Sequence, residues 1–279
     1  MASFPYRGHR IAYDEHGEGD RVLVLIHGLL MNRRMYDGLA PEMAARGNRV
    51  ITVDLLGHGE SVGPADMRAY GMRAFAQQVV ALLDHLELED AVIGGTSLGA
   101  NVSLMLACEH PRRARGLVIE MPVLENALLA AALIFTPIMV GLRFGQPLLR
   151  AVSGLANRIP RTHYLVDILL DWARRDPAMS RAVLEGVLYG QSAPGFEERE
   201  RITVPALIIG HPADPLHPFS DAGMLAEELP NARLVDANSI LEWRLSPGRL
   251  NDELARFLDE VYAVPAAEAG GAAAASAGA

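Results

Sequence analysis

The chain is short of cysteine, of positive charge and, at one place, of histidine, and each shortage excludes something. One cysteine, Cys108, in 279 residues leaves no partner for an intrachain disulfide. It sits in SLMLACEH, a helical apolar pattern that suits a small buried hydrophobe better than a catalytic thiol. Lysine and arginine together number 25 against 34 carboxylates, a formal charge of −9. No basic face is indicated, which makes nucleic acid and anionic membrane surfaces poor partners on charge alone. The opening stretch MASFPYRGHRIAYDEHG has no apolar run of the kind a secretory signal carries. With the single cysteine, this leads to the expectation of a reduced, cytoplasmic setting. The run Asn126 to Leu142, NALLAAALIFTPIMVGL, carries no charge. It falls short of the ~20 residues a membrane span needs and Pro137 interrupts it, so it reads as a pair of buried helices. No pair or cluster of His, Cys and carboxylates has metal spacing, and no cofactor is implied.

What is present is an alternation of strands and helices. Half of the residues are hydrophobic, enough to bury a large core. HRIAYDEHGEGDRVLVLIHG reads as a strand, a Gly-rich turn and a second strand, Val22 to Ile26. NRVITVD ends at Asp54, DAVIGG at Gly95, RGLVIE at Glu120, PALIIG at Gly210 and ARLVD at Asp236. Such continuous Val/Ile/Leu runs mark strands of a parallel sheet buried on both faces. Helical spacing separates them over Met72 to Leu86, after Gly95, and in LNDELARFLDEVY near the end. The alternation predicts an α/β fold with right-handed crossovers. It breaks once: 84 residues lie between Glu120 and Pro205, where a crossover needs about a dozen. This reads as a helical insertion over 121–204, apolar in its first half and charged from Arg158 to Arg201. The core is then 1–120 and 205–262. The Ala/Gly-rich stretch 263–279 reads as a disordered tail.

The strongest chemical signal is IGGTSLGAN. Gly95-Thr96-Ser97-Leu98-Gly99 is a G-x-S-x-G match lying between a strand and a helix, the context in which a serine is held in a tight, strained turn. Taken alone, the same letters also fit a plain Gly-rich turn. A nucleotide loop does not fit, since G-x-G-x-x-G is broken at Thr96 and no Lys follows Gly99. Two further stretches accompany the turn: LIHGLL, with His27-Gly28 at a strand end, and DLLGHGES from Asp54 to Ser61. In these motifs and in their order, from about Tyr6 to Tyr262, the chain resembles the α/β-hydrolase superfamily of serine esterases and lipases.

The resemblance implies an α/β-hydrolase fold, a mostly parallel sheet with helices on both faces, in which 121–204 is the variable cap. It implies Ser97 as nucleophile, with the backbone amides of Leu29 and Leu98 as the oxyanion hole; paired N–H groups suit that task because they are preorganised. It makes His27, His58 and Asp54 braces of loops. In LIIGHPADPLHP, Asp214-Pro-Leu-His-Pro218 matches the family's acid motif, so that Asp214 orients and stabilises an imidazolium. Its other reading is an Asp-Pro turn former. Glu120 stands at the family's alternative acid position.

One part of the pattern is missing. The family's base follows the strand ARLVD, about seven residues before the proline of the last helix. Counting back from Pro247 reaches Ile240, and ARLVDANSILEWRLSPGRL contains no histidine in any register; the last histidine of the chain is His217. Three explanations compete: another histidine substitutes, the protein binds a ligand without turnover, or the base was lost from an active parent. His217 is the substitute favoured by elimination and by its position just past Asp214 at the C-terminal edge of the sheet. His211, nearer the strand, and His163, in the insertion, are the others. The expected function is hydrolysis of a carboxylic ester or related acyl bond with a hydrophobic acyl group, through Ser97, Asp214 and His217. The alternative is a non-catalytic or weakly active binder of a small apolar ligand.

Overall fold

The apolar runs pair into one sheet. The computed structural model describes residues 1–160, 167, 170, 171, 173–212, 214 and 216–264; the tail from 265 onward lies outside them. Within these residues the strands are β1 (Ala2–Tyr6), β2 (His9–His16), β3 (Val22–Ile26), β4 (Arg49–Val53), β5 (Ala91–Thr96), β6 (Ala114–Glu120), β7 (Ala206–Gly210) and β8 (Ala232–Asp236). They form a sheet in the order β1-β2-β4-β3-β5-β6-β7-β8. β1 and β2 pair antiparallel, as do β2 and β4, and the pairs from β4 through β3 to β8 are parallel. β3, β5 and β7 are buried at every position, which is why they read as unbroken apolar runs. β8 departs from that expectation: as the edge strand it is half-buried to exposed. β1, which the sequence patterns did not single out, is the other edge. Pro5 has no N–H to give a central ladder and is tolerated there, while Phe4 anchors the strand in the core.

Helices fill both faces. The alternation of the pleat sends Val22, Val24 and Ile26 into one core and Leu23 and Leu25 into the other. Helices α2 (Met72–His85) and α3 (Leu98–Glu109) cover the first. Helices α1 (Leu39–Ala45) and, near the C-terminus, Gly248–Ala263 cover the second.

The described residues between β6 and β7 include the helices α4 (Leu128–Phe144), α5 (Gln146–Ala156), α6 (Pro177–Leu188) and α7 (Phe196–Arg199) and no named strand. The run read as a pair of buried helices is instead a single helix. Pro137 lies inside α4; it removes one backbone bond without ending the helix. Nor is the run buried: of the apolar stretch through α4 only 17% lies inside the structure. By length and composition that stretch, Glu125–Phe144, suffices to cross a membrane.

The entrance to α4 is tied to the core by Asp221, on α8 (Phe219–Glu228). Its fully buried carboxylate accepts the backbone N–H groups of Leu124 (2.7 Å), Asn126 (3.1 Å) and Ala127 (3.2 Å). At the exit, buried Arg199 pairs with Glu228 (2.6 Å) and Glu125 (3.0 Å) and donates to the Pro194 carbonyl. Asp221→Ala strands the buried N–H donors of Leu124 and Ala127, each worth roughly 1–3 kcal/mol when left unsatisfied, while the N–H of exposed Asn126 can turn to water. It is expected to lower unfolding stability by at least about 2 kcal/mol in urea titration; a loss under about 1 kcal/mol would show that the entrance to α4 is not held this way.

Candidate active site

The centre of the site is a backbone turn. Ser97 has φ +56° and ψ −108°, left-handed backbone unusual for a residue with a side chain. The strain persists because the surroundings leave no other path. A Cβ at Gly99 would land on the Ile26 carbonyl, and one at Gly95 would meet both Ile26 and the Gly99 backbone. The helix therefore packs against β3 with no side chain between, and Ser97 is pushed out at the N-terminus of α3. There Leu98 N–H, in the first helical turn, has no acceptor within the helix. On the facing side, the turn after β3 closes with Met31 N–H donating to the Gly28 carbonyl (3.0 Å), with Leu30 at φ +61°. Leu29 and Leu98 line the same cavity as Ser97.

The loop after β7 supplies the partners. His217 Nε2 lies 2.9 Å from Ser97 Oγ, and its Nδ1 lies 2.9 Å from Asp214 Oδ2. With the ring proton on Nδ1 donating to the carboxylate, Nε2 is free to accept from the serine hydroxyl. Asp214 Oδ1 also accepts the backbone N–H groups of Leu216 (2.8 Å) and His217 (3.0 Å). This is the Asp side-chain turn that D-P-L-H invites, so both readings of Asp214 hold in one structure. Burial works to raise the Asp214 carboxyl, but the His217 side chain and the two N–H donors outweigh it and hold the pKa at about 2.

The other histidines go elsewhere. His211 is buried, with Nδ1 at 2.9 Å from the Ser239 carbonyl and Nε2 at 3.3 Å from Glu120 Oε1. His27 donates Nδ1–H to the Gly28 carbonyl (2.8 Å) and accepts Leu55 N–H (3.1 Å). His58 reaches the Leu56 carbonyl (3.2 Å). Burial drives His27 down to about 3 and His58 well below its ordinary value, so both are neutral loop braces. Asp54 accepts the Arg33 side chain and the N–H groups of Arg33 and Glu60. His163 lies outside the described residues. Cys108 is half-buried, less enclosed than expected, and burial pushes its thiol up to about 12.

Glu120 meets a different network from the one expected of a reserve acid. It accepts Thr96 Oγ–H and Arg244 Nη2 (2.7 Å), and it neighbours His211. Tyr36 donates to the Ile26 carbonyl (2.8 Å) and stands 3.1 Å from Thr96 Oγ1. Thr96 and Arg244 carried no sequence signal: each is ordinary in its own segment, and their meeting across 148 positions is a tertiary fact. Burial alone would raise Glu120; the Arg244 charge and the His211 contact more than offset it and hold it at about 2.

Ser97 opens onto two cavities. One, about 550 Å³, is walled by Leu29, Leu98, Val187 and, from α4, Leu128, Phe135 and Met139. The other, about 300 Å³, lies on the His217 side among Met31, Met35, Met121, Ile240, Leu241 and Arg244. Ile240 thus borders this second space.

The chain's similarities fit this arrangement. The model of the α/β hydrolase fold family matches residues 21–239. The AB hydrolase superfamily protein YisY of Bacillus subtilis is 28% identical over 260 residues, covering 83% of this chain and 91% of that protein. A pimeloyl-(acyl-carrier protein) methyl ester esterase of Aeromonas hydrophila is 28% identical over 237 residues, covering 81% and 89%. The solved enol-lactonase of Burkholderia xenovorans superposes with a TM-score of 0.74 at 21% identity, covering 92% of this chain and 99% of that one.

The Glu120 network has a pH signature. Its carboxyl is depressed from 4.5 to about 2, so its contribution is full above about pH 4.5 and is lost as pH falls towards 2. His211 is raised above 6.5, burial opposing and Glu120 prevailing; its contribution is full below 6.5 and is lost as pH rises through the raised value. Glu120→Gln removes the buried carboxylate that His211 and Arg244 share, a change expected to cost on the order of 3 kcal/mol. The urea midpoints of the two proteins should differ most between about pH 4.5 and 6.5 and converge on further acidification. A pH-independent difference would refute the assignment.

Proposed function

Given that the chain belongs to the α/β-hydrolase fold family, we propose that it is a serine hydrolase of carboxylic esters or related acyl bonds with a hydrophobic acyl group. The observation that carries the reading is His217, within 2.9 Å of both Ser97 Oγ and Asp214 Oδ2. A serine hydroxyl is a weak nucleophile without an adjacent base, and His217 is in hydrogen-bond reach without any movement. In acylation His217 takes the Ser97 proton as Oγ attacks the substrate carbonyl. The oxyanion is met by Leu29 and Leu98 N–H, aided by the positive end of α3. Protonated His217, held by ionised Asp214, gives its proton to the leaving alcohol. Water then repeats the sequence in reverse and frees Ser97.

The roughly 550 Å³ cavity is within the range of small-molecule sites and its walls are largely aliphatic, which supports an apolar acyl group there. The smaller space beside His217 suits the leaving group. The segment 121–204 acts as the cap, since α4 and α6 contribute residues to the larger cavity. The reading as a non-catalytic binder rested on the histidine missing near Ile240. With His217 in contact with Ser97, that motive weakens.

The test is hydrolysis of p-nitrophenyl esters of short and medium chain length. Ser97→Ala and His217→Ala should each lower kcat by about 10³-fold or more, and the double variant should be no worse than either, because members of one unit are not additive. Parental activity in His217→Ala would sink the assignment. With its pKa held at about 2, Asp214 keeps its charge under the conditions of such an assay. Ile240→His adds a base where one is already in place and should raise the rate by no more than a few-fold.

A further inference from the structure

The helices α4 and α5 leave an apolar face in water. Leu129, Leu133, Val140 and Phe144 lie along the outer side of α4 at helical spacing, 72%, 68%, 48% and 76% exposed. Leu148, Val152, Leu155 and Ile159 continue the pattern on and just past α5, 70%, 44%, 63% and 43% exposed. Scattered exposed leucines are ordinary; a contiguous stripe on adjacent helices marks an interaction surface.

Charge selects the occupant. The chain carries 34 acids against 25 bases, yet residues 126–160 contain three arginines, Arg143, Arg150 and Arg158, and no acid. All three are exposed. Arg143 has Glu185 only at 3.9 Å, and Arg150 reaches the neutral Gln146. The chain has no lysine, so each cation here is a planar guanidinium able to fork onto phosphate. An apolar stripe flanked by arginines is the pattern of a helix lying in a lipid interface. A second copy fits less well, because a two-fold contact would set this patch against itself and bring arginines onto arginines. The opposite side of α4 lines the larger cavity through Leu128, Phe135 and Met139, so the helix stands between the outer face and Ser97.

We propose that the outer face of α4 and α5 docks on an anionic lipid bilayer, with the leucine stripe at the acyl boundary and the three arginines on headgroup phosphates. The inference does not depend on the hydrolase reading, because binding is read without turnover.

The experiment is flotation of the full chain with vesicles of phosphatidylcholine containing phosphatidylglycerol, against vesicles of phosphatidylcholine alone, with light scattering of the free protein. The wild type should float with the anionic vesicles, bind neutral ones several-fold more weakly, and lose binding in high salt. The triple variant Leu133→Asp, Leu148→Asp, Leu155→Asp removes three solvent-exposed side chains outside both cavities. It should lower anionic-vesicle binding by at least about tenfold, as expected from the apolar transfer lost, while the circular dichroism spectrum and cooperative urea unfolding of the folded protein are retained. Flotation unaffected by the triple variant, equal binding to both lipids, or no flotation by a monomeric protein would each overturn the proposal. A dimer that the triple variant converts to monomer, with no flotation, would assign the face to self-association instead.

Discussion

The close approach of the Ser97 turn to the end of β3 is the constraint to which the rest of the site is referred. Gly95 and Gly99 carry no Cβ because the Ile26 backbone occupies that space, and with the helix pressed there Ser97 takes a left-handed conformation. Three consequences share this cause. The hydroxyl projects beyond the sheet edge, the first N–H groups of α3 have no acceptor within the helix, and the serine is brought opposite the loop that follows β7. Beneath it, Glu120, Thr96, Arg244 and Tyr36 link β6, the elbow and the segment after β8 through buried and part-buried hydrogen bonds. Charges so placed are costly unless paired, and here the pairing binds the elbow to its neighbours.

Base and acid, in the proposed mechanism, come from a single turn. Asp214 holds the His217 ring with one oxygen and the turn's own backbone with the other. A carboxylate fastened in this way costs little to orient, since the turn is set by the chemistry that also holds the imidazole. The loop after β8 is thereby relieved of supplying a histidine. It places Ile240 and Leu241 on the second cavity and sends Arg244 inward to Glu120.

The helical segment over the site has an inner and an outer chemistry. Its root is polar and well tied, through Asp221 and Arg199. Its body is apolar on the side of the cavity and on the side of the solvent alike. A helix that is hydrophobic all round is normally found inside a large core or a membrane. The charge along this one is arginine, with no acid in residues 126–160.

Local pattern alone determined much of this molecule. Strands β3 to β7 were legible because a strand buried on both faces must be apolar throughout, and Ser97 was legible because a strained strand-to-helix turn demands glycine at fixed offsets. Asp214 and His217 were singled out by the resemblance to the family's acid motif and by the absence of any later histidine. The tertiary structure decided the rest. The 2.9 Å approach of His217 to Ser97 spans 120 positions of chain, and no local pattern encodes a distance between segments so far apart. β1 was hidden because an edge strand with one buried residue and a proline has no periodicity to display. The exposure of α4 was misread for the complementary reason: composition states that a helix is apolar, while whether anything covers it depends on how the neighbouring helices pack. The Glu120–Arg244–His211 cluster follows the same rule: Glu120 and His211 were singled out for other roles, Arg244 for none, and they are joined only where the sheet, the elbow and the last loop converge.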